Sequence, residues 1–140
     1  MKLGRLNHVG VATPDIEEAV AFWRDVMGAT TISEPFAMPE QGVRVCFVDT
    51  PGVGTQIELL APLSEASPIT AFLARNPLGG QHHLAFEVPE IAAARAEFEA
   101  MGKRILGPTR IGAHGTPVFF VHPKDMNGTL TEIMETPPHG

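Results

Sequence analysis

The stretch Asn7-His8-Val9-Gly10-Val11-Ala12-Thr13-Pro14-Asp15-Ile16 returns later in the chain as His82-His83-Leu84-Ala85-Phe86-Glu87-Val88-Pro89-Glu90-Ile91. His8, Pro14 and Ile16 each reappear 75 positions on, and Ala19 meets Ala94 and Trp23 meets Phe98 at the same spacing. Further along, Gly54-Thr55-Gln56-Ile57-Glu58-Leu59-Leu60 matches Gly128-Thr129-Leu130-Thr131-Glu132-Ile133-Met134 at a spacing of 74. A spacing that holds to one residue across the chain marks a duplication. Two copies of this length are too few and too long for a solenoid, so they predict two equivalent half-modules sharing one core.

Each copy opens with alternation. Val9 and Val11 oppose His8, Gly10 and Ala12, and Leu84, Phe86 and Val88 oppose His83, Ala85 and Glu87, so each copy starts with a strand that carries its histidine opposite the bulky apolar row. Thr13-Pro14 supplies an N-cap and a first-turn proline, and Asp15, Glu17 and Glu18 complement a helix N-terminus. Ile16, Ala19, Val20, Trp23, Val26 and Met27 keep a helical period up to Gly28, a good residue to end on. Ile91, Ala94, Phe98 and Met101 repeat the pattern up to Gly102, with poorer capping chemistry because Val88 precedes Pro89.

β-rich stretches follow each helix, at residues 30–34, 43–49 and 56–60 in the first copy and 103–106, 117–122 and 129–135 in the second. Each copy therefore reads β-α-β-β-β, and the fold class is α+β with two paired βαβββ modules. The expected organisation is one domain over residues 1–140, with half-modules 1–63 and 81–140. The linker is 64–80, where Ser67-Pro68 opens a short helical segment holding Ile69, Phe72 and Leu73 that Asn76-Pro77 closes.

Composition narrows the function classes. The chain has 140 residues, the size of one domain, and 44% apolar content fills a core without disulfide or metal staples. Glycine and proline supply 27 of the 140 residues, so many turns are expected. Ten basic residues against 16 acidic ones give a net charge of −6, which excludes a general basic surface for nucleic acid or anionic lipid. Lys2 and Arg5 interrupt the start of the chain, and no apolar run approaches the ~18 residues of a membrane span. A soluble, cytoplasmic protein is expected. Cys46 is the only cysteine, so an intrachain disulfide and a thiolate zinc cluster are both impossible. Its alternation with Val45 and Phe47 makes it a buried strand thiol.

The duplication also pairs chemistry. His8 matches His83 and Glu58 matches Glu132, giving two imidazoles and two carboxylates at equivalent places. Taken singly, a strand histidine is more often a hydrogen-bonded structural residue than a ligand. Glu58 and Glu132 sit between apolar neighbours, however, where an unpaired carboxylate is costly to bury, which argues for a cation beside them. If the modules pack about a pseudo-twofold axis, the four side chains converge. Two nitrogens and two oxygens suit a borderline divalent ion such as Co²⁺, Ni²⁺, Mn²⁺, Fe²⁺ or Zn²⁺, and six-coordination leaves two positions for substrate or water. His82, of opposite parity to His83, and His114, in a glycine-flanked loop, are weaker substrate contacts. His122-Pro123-Lys124-Asp125 reads as a turn in which Lys124 could meet an anion, and His139 lies in the tail.

Asn7-His8-Val9-Gly10-Val11-Ala12, Ile57-Glu58-Leu59-Leu60-Ala61-Pro62-Leu63, Gly79-Gly80-Gln81-His82-His83-Leu84 and the run from Ile111-Gly112-Ala113-His114-Gly115-Thr116-Pro117-Val118 to His122-Pro123-Lys124-Asp125 together resemble the methylmalonyl-CoA epimerase family of the vicinal-oxygen-chelate superfamily. The resemblance implies an open eight-stranded barrel-like sheet, a homodimer, and metal ligation by His8, Glu58, His83 and Glu132. It also implies an acyl-CoA substrate whose (R) and (S) forms are interconverted through a metal-stabilised enolate. Some members carry glutamine in place of Glu58 and a glutamate base on the middle strand. Aligned from Glu40-Gln41-Gly42, this chain has Val45 at the latter position, as other members also have an apolar residue. Glu132 is therefore the first candidate for proton transfer and Asp49, on the strand parity of Val45, the second. A glyoxalase I-like lactoylglutathione lyase, which uses a similar ligand set, and a non-catalytic binding protein of the same fold are the alternatives.

Overall fold

The structure is a computed structural model that describes residues 1–52 and 54–138. His139 lies outside the described residues. The elements in chain order are β1 (Leu6–Ala12), α1 (Ile16–Asp25), β2 (Phe36–Met38), β3 (Val43–Val48), β4 (Gln56–Pro62), α2 (Thr70–Arg75), β5 (Gly80–Val88), α3 (Ile91–Ala100), β6 (Ile105–Ile111), β7 (Pro117–Val121) and β8 (Thr131–Glu135). The chain divides into two compact units, residues 8–82 and residues 1–7 with 83–140, hereafter the first and second modules.

In the first module the strands run in the order β2-β3-β4-β1. β1 pairs parallel with β4, while β3 is antiparallel to both β4 and β2. The α1 residues Ile16, Ala19, Val20 and Trp23, spaced for one helical face, pack on Cys46, Val48, Leu59 and Ala61. Cys46 is thus the buried strand thiol expected, donating to the Ser33 carbonyl at 3.2 Å. Gly79 closes the module with φ +86°, and a Cβ there would collide with the Ala12 carbonyl, so only glycine serves.

In the second module the order β5-β8-β7-β6 repeats the plan, with β5 parallel to β8 and β7 antiparallel to β8 and β6. Ile91, Ala94 and Phe98 of α3 pack on Val88, Phe119, Val121 and Ile133. Phe98 meets Phe119 edge-on at 5.9 Å. Burying a ring of this size contributes about 1.5–3 kcal/mol. Residues 1–7 join this module: the Asn7 amide donates to Glu87 Oε2 at 2.8 Å, and the Glu87 N–H donates to the Arg5 carbonyl at 2.9 Å.

Five local expectations are corrected. The N-cap of α1 is Asp15, whose carboxylate accepts from the Glu18 N–H at 3.1 Å, while Thr13 only turns the chain into it. The helix of the second copy, α3, is capped well after all, because Glu90 accepts from the Ala92 and Ala93 N–H groups and Glu135 accepts from that of Ile91. α1 stops at Asp25, leaving Val26 and Met27 exposed. The strand expected at residues 30–34 shrinks to the single bridge Ile32–Val48, since the Ser33 hydroxyl takes the Phe47 N–H and Pro35 has none to offer. Pairing resumes at β2. Likewise the strand expected at 103–106 runs from Ile105 to Ile111, bending at a register shift around Gly107-Pro108.

Candidate metal centre

In each module one row across the sheet has the same composition. The first module aligns Gly10 of β1, Glu58 of β4 and Phe47 of β3. The second aligns Ala85 of β5, Glu132 of β8 and Phe120 of β7. The histidine stands two residues before the small member of the row, on the same face. Because Gly10 and Ala85 have little or no side chain, each glutamate can lean diagonally over them onto its histidine.

The resulting contacts are His8 Nε2 to Glu58 Oε2 at 3.5 Å and His83 Nε2 to Glu132 Oε1 at 3.1 Å. All four residues are buried, with His8 at 0%, Glu58 at 4%, His83 at 2% and Glu132 at 5% exposure. The histidine face is therefore more deeply covered than the row of Val9, Val11, Leu84 and Phe86, which is half-buried. A carboxylate this far from water needs charge compensation. Two ligand atoms held about 2.0–2.2 Å from one ion at angles of 90–110° lie about 2.8–3.6 Å apart, and both pairs have that spacing. The nitrogen and oxygen donors fit a divalent ion of the borderline class. Without an ion, the same contact is an imidazole N–H donating to a carboxylate.

The remaining sequence-predicted residues fall as follows. Asp49 is exposed just past the end of β3 and accepts from the Gln56 amide at 2.7 Å, and Gln56 is the register partner of His8. Val45 is buried beside Leu60 in the next row. His82 is half-buried with its ring edge-on to Phe72 at 5.2 Å. His114 is half-buried in a loop that the Gly112 N–H closes onto the Thr116 carbonyl at 2.9 Å. His122 caps the turn at Pro123–Asp125 by accepting from the Lys124 N–H, and the Lys124 side chain is exposed. Next to it the Arg104 guanidinium hydrogen-bonds Asp125 and holds its carboxyl well below the usual carboxylate range.

The sequence reasoning missed Phe47 and Phe120. Their signal was available in the duplication: each lies two residues after an equivalent valine, Val45 or Val118, and opposite an equivalent glutamate. It missed Thr116 as well, whose hydroxyl is buried and meets no protein partner among the described residues, so it is free to donate to a ligand or a water.

Residues 7–120 match the Glyoxalase/Bleomycin resistance protein/Dioxygenase superfamily. The ethylmalonyl-CoA/methylmalonyl-CoA epimerase of Cereibacter sphaeroides is 50% identical over 133 residues, covering 94% of this chain and 97% of its own length. The mitochondrial methylmalonyl-CoA epimerase of Mus musculus is 51% identical over 94% of this chain and 73% of its own. A variant of the Streptomyces coelicolor methylmalonyl-CoA epimerase, solved in complex with 2-nitronate-propionyl-CoA, matches with a TM-score of 0.86 at 34% identity, over 98% of this chain and 100% of that one. The α+β fold of paired βαβββ modules is thus the one the duplication predicts. The chain belongs to the Glyoxalase/Bleomycin resistance protein/Dioxygenase superfamily and, within it, to the methylmalonyl-CoA epimerases.

Proposed function

We propose that this protein interconverts the (R) and (S) forms of methylmalonyl-CoA by exchanging the α-proton, and that His8, Glu58, His83 and Glu132 together hold one divalent metal ion. It is an isomerase. The observation that carries the metal assignment is the recurrence, in two modules, of a buried histidine–glutamate pair across a small residue, Gly10 in one and Ala85 in the other. When bound, the ion supplies Lewis-acid charge to the substrate oxygens on which negative charge develops.

The chain's own residues do the rest. Inverting a carbon between a carboxylate and a thioester requires removing its proton and returning one to the opposite face. Glu132 is the group assigned to take the proton, and burial beside Phe120 keeps water from competing for it. Asp49 is assigned as the second, weaker proton-transfer group, oriented by the Gln56 amide. In the first module Val45 leaves the middle strand with no carboxylate to contribute beside Leu60.

The proposal extends to a homodimer. In the second module Met1, Leu3, Leu84, Phe86, Met126 and Ile133 line an apolar cleft of about 290 Å³ on the face away from His83, which a second copy would cover. Sedimentation should give about 30 kDa, twice the chain mass of 15.0 kDa, and a monomer alone at micromolar concentration would contradict it. No helix among the described residues is long and apolar enough to cross a membrane. A cytoplasmic location is part of the same proposal. The functional test is conversion of one methylmalonyl-CoA enantiomer to the racemate. Activity should be lost on chelation and regained on adding a divalent ion, and full activity after complete metal removal would contradict the proposal.

A further inference from the structure

In the second module, Ala85 of β5, Glu132 of β8, Phe120 of β7 and Leu106 of β6 form one row across four strands, and residues in register share a face of the sheet. Exposure rises along that row. Glu132 is buried, Phe120 half-buried and Leu106 44% exposed, so the face that carries the glutamate opens toward the β6 edge. Glu132 leans onto His83, which stands two residues before Ala85, and therefore toward one end of the strands. Register carries that end across to the edge strand: His122, two residues after Phe120, donates its N–H to the carbonyl of Arg104, two residues before Leu106. A cationic cluster sits there. Arg104 clasps the Asp125 carboxylate through its backbone N–H at 2.9 Å, its Nε at 2.9 Å and its Nη2 at 3.2 Å. Lys103 is near enough to act on the same carboxylate, and Lys124, its neighbour in the chain, is exposed. Three cations against one carboxylate leave two positive charges in a chain whose net charge is −6.

We propose that Lys103, Arg104 and Lys124 bind the phosphate groups of the CoA moiety, with the pantetheine arm crossing Phe120 and Leu106; this rests on the epimerase reading above. The acyl end belongs at the His83–Glu132 pair, because the reacting carbon must meet the carboxylate that takes its proton. From Glu132 to Arg104 is about 10 Å across two strand spacings and about 7 Å along the strand, or about 12 Å in all. The arm between the thioester sulfur and the first phosphorus is as long as about four extended residues, roughly 14 Å. The arm therefore spans the row and delivers its phosphates to the cluster. Its methyl and methylene groups suit the two apolar side chains on the way. A polyanion approaching an acidic chain needs such a local positive field at the end of its path. Asp125 fixes Arg104, and the two lysines supply the charge in excess of that pair.

The test measures KM and kcat for α-proton exchange with methylmalonyl-CoA and with methylmalonyl-pantetheine, which has the arm but no phosphate. The proteins compared are the wild type, Lys103→Ala/Lys124→Ala, and Lys2→Ala/Arg75→Ala, which removes the same charge from exposed positions elsewhere. An ion pair at the surface changes an equilibrium constant by up to about fivefold, so losing two should raise KM for methylmalonyl-CoA by on the order of tenfold, with kcat unchanged. The gap from the wild type should shrink as salt is raised from about 0.01 M to about 1 M, because screening reaches groups at the surface. KM for the pantetheine thioester should not move, and the control should match the wild type on both substrates. An unchanged KM for methylmalonyl-CoA, an equal rise with the pantetheine thioester, or an equal rise in the control overturns the assignment. A wild type that exchanges neither thioester defeats the epimerase reading and this inference with it. An active wild type with any of those three results defeats the inference alone.

Discussion

Replacing His83 by alanine tests whether the buried pairs are ligands. His83 is 2% exposed, its Nε2 lies 3.1 Å from Glu132 Oε1, and its ring sits edge-on to Phe120 at 5.2 Å. Truncation leaves the Glu132 carboxylate, 5% exposed, without that partner. Removing one member of a buried pair costs about 1–3 kcal/mol when a hydrogen bond is lost and about 3–5 kcal/mol when charge compensation goes with it. The lost ring contact adds about 0.5–1.5 kcal/mol. A central value of about 3 kcal/mol in the metal-free protein lowers Tm by on the order of 10 °C for a chain of 140 residues. With metal present the gap widens. An ion at 100 times its dissociation constant stabilises the wild type by about 2.7 kcal/mol, and the variant loses most of that. His82→Ala is the control: His82 is half-buried and contacts Phe72 edge-on, so about 1 kcal/mol and full metal content are expected. The assay is thermal unfolding with and without chelator, beside elemental analysis. Equal metal content and an equal chelator response in wild type and His83→Ala would refute the ligand assignment.

Glu132→Gln keeps a neutral oxygen donor but loses the base, so metal should be partly retained while deuterium exchange falls by about 10²-fold or more. Glu58→Gln should keep both metal and substantial activity. The opposite pattern, with full metal in each, would move the base to the first module. Asp125→Asn should lower Tm near neutral pH, because Arg104 depresses the Asp125 carboxyl in the folded state. A depressed carboxyl stabilises above its unfolded value and loses that contribution as pH falls through the folded one, so the gap should close between about pH 4 and the acid limit of folding. A gap that is constant with pH would place its origin elsewhere.

The duplication made the two-module fold and all four proposed ligands legible, because residues repeated at one spacing must do equivalent structural work. The His8–Glu58 and His83–Glu132 contacts follow from parity and from the small residues Gly10 and Ala85, both readable in the chain. What the sequence concealed was tertiary. Glu135 reaches the first N–H of α3 from 44 residues away, which no local capping pattern can reveal. The stretch at 30–34 has strand composition, yet Ser33 and Pro35 divert its hydrogen bonds, and the pairing shifts to β2. Phe47 and Phe120 read as ordinary strand aromatics until the register sets each opposite a carboxylate.

The most direct measurement of the central claim is solvent deuterium exchange, run in parallel with methylmalonyl-CoA and with the hemithioacetal of methylglyoxal and glutathione. An epimerase incorporates deuterium at the α-carbon of methylmalonyl-CoA in a metal-dependent manner and leaves the hemithioacetal unchanged. Turnover of the hemithioacetal to a lactoyl thioester, with no exchange into methylmalonyl-CoA, would contradict the epimerase assignment and make this chain a glyoxalase-type isomerase.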